Sequence, residues 1–520
     1  MLIRHHHPRV GLVQTRSMSK REHGYVMVMT ALLLVPMLLM AGLSVDVGNW
    51  YSNASNIQKA ADAAALAGVV WLPDVPSATT FAKEAAKRNG YEDGVNNVTV
   101  TVERIGDRRL RVTIKDSKVG SFFYQNLGGK KIALTRTGTA EYVLPVPLGS
   151  PDNHFGNDPT DLAYTQPNLW GNIHGVGTDN YKGDAYAASC RGGDNCSSTT
   201  NAGYRSDGYL YTVDIASGTK DFDLQVYDAG LSPRSAETVD TGDTAYTATG
   251  TTNTVWTFYN ADATDLNVSD NPIATGTLCT SQSGNRQWTI GQSTTDTTYK
   301  NKWVSLCTRS GTMPPGRYLL RVQTTGNGSA ANRYALRATS STTVKPRIAG
   351  FGDMSMYNNI SAGSSAADVT ANFYLAEVDQ IHRGKTFRIS MYDPGEVGKT
   401  TKTVNGVTTD VTTGTGQIKV IIPGNTVASS CVGTTDSTSS TFTSGSTLSP
   451  CQFYSAQNGS AKYNGSWVTL DIQIPSTYTC TMGTVPGCWW KIQYIINGQA
   501  NDTTTWSAQV IGDPVHLVQE

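Results

Sequence analysis

The chain has 520 residues, with 41 basic and 41 acidic side chains and a formal net charge of zero. That length exceeds one hydrophobic core, and the charge balance removes any global electrostatic reason for a nucleic-acid partner. Charged residues make up only 16%, and Gly, Ser, Thr and Asn are abundant, which suits exported β-rich domains with polar turns better than a cytosolic enzyme.

Residues 1–24 read as a basic cytoplasmic tail, in which Arg4, Arg9, Arg16, Lys20 and Arg21 face one acidic residue, Glu22. From Tyr25 to Val45 the chain reads YVMVMTALLLVPMLLMAGLSV, without a charge. At 1.5 Å per residue this stretch covers a hydrocarbon core of about 30 Å. A cleaved signal peptide has a shorter apolar region, so an uncleaved single-pass transmembrane helix is expected over 25–45. The positive-inside rule puts the N-terminus in the cytoplasm and the bulk of the chain outside, at the cell surface. Pro36 is tolerable in mid-membrane, and Asp46 is expected to mark the outer interface.

Residues 46–143 read as a helix extension followed by a small α+β domain. Within the Ala-rich stretch 53–70, Ile57, Ala61, Ala64 and Gly68 recur three or four apart. Such a small-residue face suits close packing on a partner helix, and equally an ordinary helix lying on its own domain's sheet. Phe81–Arg88 is expected to be a short helix closed by Asn89-Gly90, with strands at Val98–Val102, Leu110–Ile114 and Ile132–Val143 and a helical turn at Phe122–Leu127.

Three segments carry a resemblance: Glu22-His23-Gly24 before the apolar run, Gly42-Leu43-Ser44-Val45-Asp46-Val47-Gly48 at its end, and Ala60-Ala61-Asp62-Ala63-Ala64-Ala65-Leu66-Ala67-Gly68. Together they resemble the N-terminal module of the TadE/TadG-like family of Tad (tight-adherence, Flp) pilus-assembly proteins. The resemblance covers roughly a tenth of the chain. It implies a pilin-like α+β domain and a minor-pilin-like or assembly role, with the membrane and other pilus-assembly or pilin proteins as partners through the N-terminal helix. A cut after Gly24 would place Met29 at the fifth mature position, where processed pilins carry Glu.

Residues 144–159 read as a linker, followed by two tandem all-β sandwich or jelly-roll domains at 160–345 and 350–520. Tyr209–Gly230 and Tyr374–Gly395 match in register over Tyr, Leu, Val, Asp, Lys, Phe, Tyr, Asp and Gly. Trp303-Val304-Ser305-Leu306 answers to Trp467-Val468-Thr469-Leu470, and each copy closes on an aromatic strand near Tyr334 or Trp506. Phe222, Leu224 and Val226, like Phe387, Ile389 and Met391, alternate with polar residues as half-buried strands do. The shared Tyr-Asp-x-Gly is expected to be a turn, with Asp forming it and Gly at positive φ. This strand also resembles the pre-peptidase C-terminal type of exported jelly-roll module.

All eight cysteines lie at or beyond position 190 and show no zinc spacing, so disulfides are expected. The simplest pairing joins Cys190 to Cys196, Cys279 to Cys307, Cys431 to Cys451 and Cys480 to Cys488.

Outside the tail and anchor, His154, His174, His382 and His516 belong to no nucleophile or metalloprotease motif, so neither an enzyme nor a cofactor is expected. Asp214, Asp221, Asp223 and Asp228 crowd one hairpin and Asp158 and Asp161 one polar loop; these are oxygen ligands that could take Ca²⁺ or simply form solvated turns. Trp170, Tyr204, Trp489 and Trp490 are aromatic enough to stack on sugars. Trp489 and Trp490 are adjacent in a strand, so one is expected in the core and the other exposed or at an interface. The expected function is a membrane-anchored structural component of a Tad/Flp-type pilus presenting two sandwiches. The alternative is an adhesin on a Tad-like anchor, with a surface glycan or protein as its ligand.

Overall fold

The computed structural model describes residues 22–72, 75–105, 109–142, 146–160, 168–191, 196–197, 199–231, 241–247, 249–262, 271–274, 276, 278–279, 287–291, 299–363, 367–511 and 515–518. The basic tail and Asp161 fall outside them. The chain forms two compact units, one of residues 1–142 with 515–520 and one of residues 143–514.

The first unit is built on one continuous helix, α1 (Glu22–Val69). From Tyr25 to Gly48 every residue is exposed except Gly42 and Asp46. The hydroxyls of Thr30 and Ser44 donate to the carbonyls of Val26 and Met40, four residues back. The apolar stretch thus keeps its polar groups paired inside the helix, as a bilayer requires. Beyond it, α2 (Val75–Arg88) and the antiparallel strands β1 (Val98–Arg104), β2 (Arg109–Val119) and β3 (Ile132–Tyr142) form an α+β domain. Val98, Val100, Leu110, Val112 and Ile114 point inward from β1 and β2 and pack with Ile57, Ala61, Ala64, Ala78 and Ala82. A fourth strand, Val515–Leu517, pairs with β3. Residues 515–517 were expected in the second sandwich; pairing with β3 satisfies that strand's free edge instead. In connectivity, the whole second unit is an insertion into this small domain.

The second unit holds two sandwiches whose strand orders match. Strand Lys220–Tyr227 lies between Trp303–Thr312 and Ala330–Thr339, and strand Thr386–Tyr392 lies between Trp467–Gln473 and Gln499–Ile511. These are the segments matched by sequence. Facing layers close each core: Phe222 stacks on Phe258 and Trp256 meets Tyr334 in the first copy, while Phe387 meets Trp490 and Phe373 meets Trp506 in the second. At the repeated turn Asp228 (φ 52°) and Asp393 (φ 56°) themselves adopt the left-handed conformation. Gly395 does so as well, whereas Gly230 does not, so the expectation for glycine holds in one copy only.

The copies are not separate domains. Strand Leu169–His174, buried at all six positions, pairs with Ala330–Thr339 on one side and Asp353–Ser361 on the other. Asp353–Ser361 pairs in turn with Gln499–Ile511. One 13-stranded sheet therefore runs through both copies, and a single apolar cluster spans them. The boundary expected between 345 and 350 falls in strand Arg347–Gly350, which pairs with Tyr209–Ile215 in the facing sheet of the first copy.

The expected linker is structural too. His154–Phe155 pairs with the Ala330–Thr339 strand, and Leu148 and Phe155 are fully buried. Four disulfides join Cys190–Cys196, Cys279–Cys307, Cys431–Cys451 and Cys480–Cys488.

Candidate functional site

Gly42, Asp46, Asn49, Trp50 and Asn53 occupy one side of α1, at the spacing of successive helical turns. Four of them meet one turn of the same unit, residues 120–129, between β2 and β3, and Asn53 holds the Asn49 amide. The Asp46 carboxylate is buried and accepts backbone N–H groups from Phe122 (2.6 Å), Phe123 (3.0 Å) and Tyr124 (2.6 Å). Asn49 donates its side-chain amide to Gly120 O at 3.0 Å and Asn53 donates to Asn49 O. Trp50 meets the Tyr124 ring edge-on at 5.8 Å. Gly42 has no side chain because the Phe123 ring lies against it; a Cβ there would stand 2.8 Å from Phe123 Cγ. A polar groove of about 250 Å³, lined by Asn49, Asn53, Lys118 and Ser121, opens beside the turn.

The held turn is unusually apolar at its tip. Phe122, Phe123, Tyr124 and Leu127 are 63, 48, 39 and 68% exposed. Lys118, Lys130 and Lys131 are exposed at its two ends. Sequence reading isolated the Gly42–Gly48 segment and placed Asp46 at the outer interface, but missed what Asp46 holds. The usable signal was the i, i+4, i+7 spacing of Gly42, Asp46 and Asn49.

The small-residue face further along α1 is occupied by its own unit. Ile57, Ala61 and Ala64 are fully buried. A Cβ on Gly68 would meet Leu110 Cδ2 at 2.6 Å and Ala82 Cβ at 2.9 Å, and one on Gly138 would meet the Ala61 carbonyl carbon at 2.6 Å. These small residues let β2, β3 and α2 approach α1 closely. The reading of this face as a dock for another protein's helix is corrected: no face is left.

In the second unit the candidate calcium ligands do not converge. Asp214 forms a bidentate pair with Arg317. Asp221 accepts from Gly311 N and Ser341 Oγ, Asp223 from Ser305 Oγ and Gln225 Nε2, and Asp228 from Thr241 Oγ1. Asp158 is committed to Arg337 Nη1 (2.9 Å), Thr160 and the Trp303 indole N–H, which fasten residues 154–160 to the sheet. Among the described residues no three His, Cys, Asp or Glu side chains are arranged to hold a metal.

Of the aromatic candidates, Trp170 stacks on Tyr227 inside the sheet seam and only Tyr204 is exposed. Trp489 and Trp490 do point to opposite faces, yet both are buried. Trp490 lies in the sandwich core, and Trp489 is covered from outside by Tyr374 and by the Arg347 guanidinium. Of the two places expected for the second ring, exposed or at an interface, the exposed one is corrected: an ion pair from Arg347 to buried Glu377 holds that cover in place. His174 and His382 are buried, and His154 faces Asp158; the side chain of His516 lies outside the described residues.

One acidic group stands out. Asp393 and Asp502 are buried, with Glu396 nearby. Burial, then the charges of Asp502 and Glu396, push the Asp393 carboxyl well above its usual range. Burial, then Glu396, does the same to Asp502.

Residues 24–71 match the family model described as "Putative Flp pilus-assembly TadE/G-like". The match runs from the start of the apolar stretch through the buried part of α1 and contains Gly42, Asp46, Asn49 and Trp50. No curated protein sequence matches the chain. Among solved structures, a tandem CBM22-1–CBM22-2 domain of Paenibacillus barcinonensis Xyn10C aligns at 9% identity and a TM-score of 0.13, covering 81% of this chain and 92% of that one. The structure of the infectious bursal disease virus Gt strain aligns at 11% identity and a TM-score of 0.08, covering 72% and 80%. At those scores neither likeness bears on fold or function. Residues 24–71 are thus similar to the TadE/G-like module, and here they form one continuous helix as far as Val69, apolar and exposed in its first part and packed on its own sheet in its second.

Proposed function

We propose that this protein is a membrane-anchored, minor-pilin-like structural component of a Tad/Flp-type pilus. In this reading residues 25–45 of α1 cross the membrane with the N-terminus in the cytoplasm, and the double sandwich of residues 143–514 is presented at the cell surface. The observation that carries it is the coincidence of the family match with a helix exposed on all sides from Tyr25 to Ala41 and packed into a domain further along. Contacts with other pilus-assembly membrane proteins then run through the exposed apolar stretch, since the small-residue face beyond it is filled. Two measurements test it together. Protease added to intact spheroplasts should degrade epitopes in 143–514 and spare a tag at residue 1; a protected C-terminal epitope would refute the orientation. The full chain should also co-purify with pilus-assembly membrane proteins after gentle detergent extraction. Recovery without them would favour an adhesin that only shares the anchor.

A further inference from the structure

We propose that the turn of residues 120–131 is a second membrane contact: it seats Phe122, Phe123, Tyr124 and Leu127 in the outer interface of the bilayer that α1 crosses. The proposal rests on the anchor reading above and adds to it a fixed depth for the turn. Three observations carry it. The Phe123 ring lies on Gly42, inside the uncharged stretch 25–45, so the turn is held level with the last turn of the apolar span. Asp46 grips three consecutive amides of the turn, and while the Phe123 and Tyr124 rings rest partly on α1, Phe122 and Leu127 are left 63 and 68% exposed. Gly42 and Asp46, the only buried residues between 25 and 48, are buried by this turn.

The chemistry fits a lipid interface. Aromatic rings concentrate where hydrocarbon meets headgroups, and flanking lysines reach back to phosphates on flexible stems. Phe122, Phe123, Tyr124 and Leu127 supply the first and Lys118, Lys130 and Lys131 the second. The Asp46 charge, which would be costly at that depth, is met by three N–H donors. Two contacts at the same level, a helix and a pinned turn, would restrain α1 from rotating or tilting freely beneath its domain.

The eight cysteines are all in disulfides, so an introduced cysteine is a unique label site. Spin labels would be placed at Leu127, at Met40 in the span and at Glu103. The last lies in β1, whose neighbour Leu110 packs on Gly68, 22 residues beyond Asp46 along α1 and therefore about 33 Å away. The full chain is reconstituted in phospholipid vesicles, and each label is read for collision with oxygen and with a water-soluble nickel chelate. The oxygen-to-nickel ratio at Leu127 should be several-fold above that at Glu103. A Leu127 label as open to nickel as Glu103, with Met40 protected, would overturn the seating alone. A water-exposed Met40 label would overturn the anchor and the seating together. Shielding of Leu127 from both reagents would show the turn covered by protein, and would also overturn it.

Discussion

The guanidinium of Arg333 lies over the ring of Tyr357 at 3.9 Å, joining a strand of the first sandwich copy to a strand of the second. Both residues are buried, and Arg333 reaches Thr503 of the second copy as well. The contact crosses strand Leu169–His174, where the two copies become one sheet.

Tyr357→Ala should therefore destabilise residues 143–514 as a whole, by about 3 kcal/mol for loss of a buried aromatic. Hydrogen exchange read by mass spectrometry should show protection falling together in peptides covering 220–227 and 386–392. A loss confined to the second copy would mean that the copies unfold independently. For the same reason residues 160–345 and 350–511, expressed separately, should not give two folded domains.

Ala64→Leu addresses the small-residue face. Ala64 is fully buried beneath the sheet and α2. Added bulk there should cost about 1–3 kcal/mol through overpacking. Thermal unfolding followed by protection of peptides in β2 and β3 checks it, and an unperturbed domain would contradict the packing.

Asp46→Ala removes the acceptor of three amides without touching the apolar span. Exchange protection at Phe122, Phe123 and Tyr124 should drop to that of an ordinary exposed loop, while protection in β1 and β2 stays unchanged. Retained protection at Tyr124 would show that the turn is held by other contacts.

The buried carboxylates predict a pH dependence. Asp502 is raised well above 3.8, so the folded chain holds a proton that the unfolded chain releases. Its favourable contribution is therefore complete below the unfolded value and is lost as pH rises through the folded value. Asp502→Asn removes the charge but keeps an oxygen to accept from Gly395 N and Thr504 Oγ1. Melting temperature should rise relative to the parent at about pH 7, and the gain should shrink toward about pH 4. A gain independent of pH would rule out titration of this cluster as its source.

Reducing the Cys279–Cys307 bridge, or replacing both residues with Ser, opens a loop with a sequence separation of 28. Chain-entropy estimates put the loss at about 3–4 kcal/mol, measurable by denaturant unfolding of the oxidised parent against the variant.

Whatever is written in local periodicity could be read from the residues alone. The apolar stretch of residues 25–45, the inward alternation of Val98, Val100, Leu110 and Val112, and the repeated strand around Phe222 and Phe387 each carry their burial pattern in neighbouring residues. The duplication was legible because both copies kept the same strand and turn. How distant strands pair is set by the packed fold. Asn172 donates to Ser355 from 183 positions away, and nothing local marks Leu169–His174 as the strand that fuses two sandwiches. The same holds for Val515–Leu517, which finds its partner in β3, and for Asp46, whose three amides lie 76 to 78 residues downstream. A backbone N–H or a free sheet edge is the same chemical group in every residue. Which one a given side chain or strand satisfies is set by the geometry of the packed chain, and the sequence carries no local record of it.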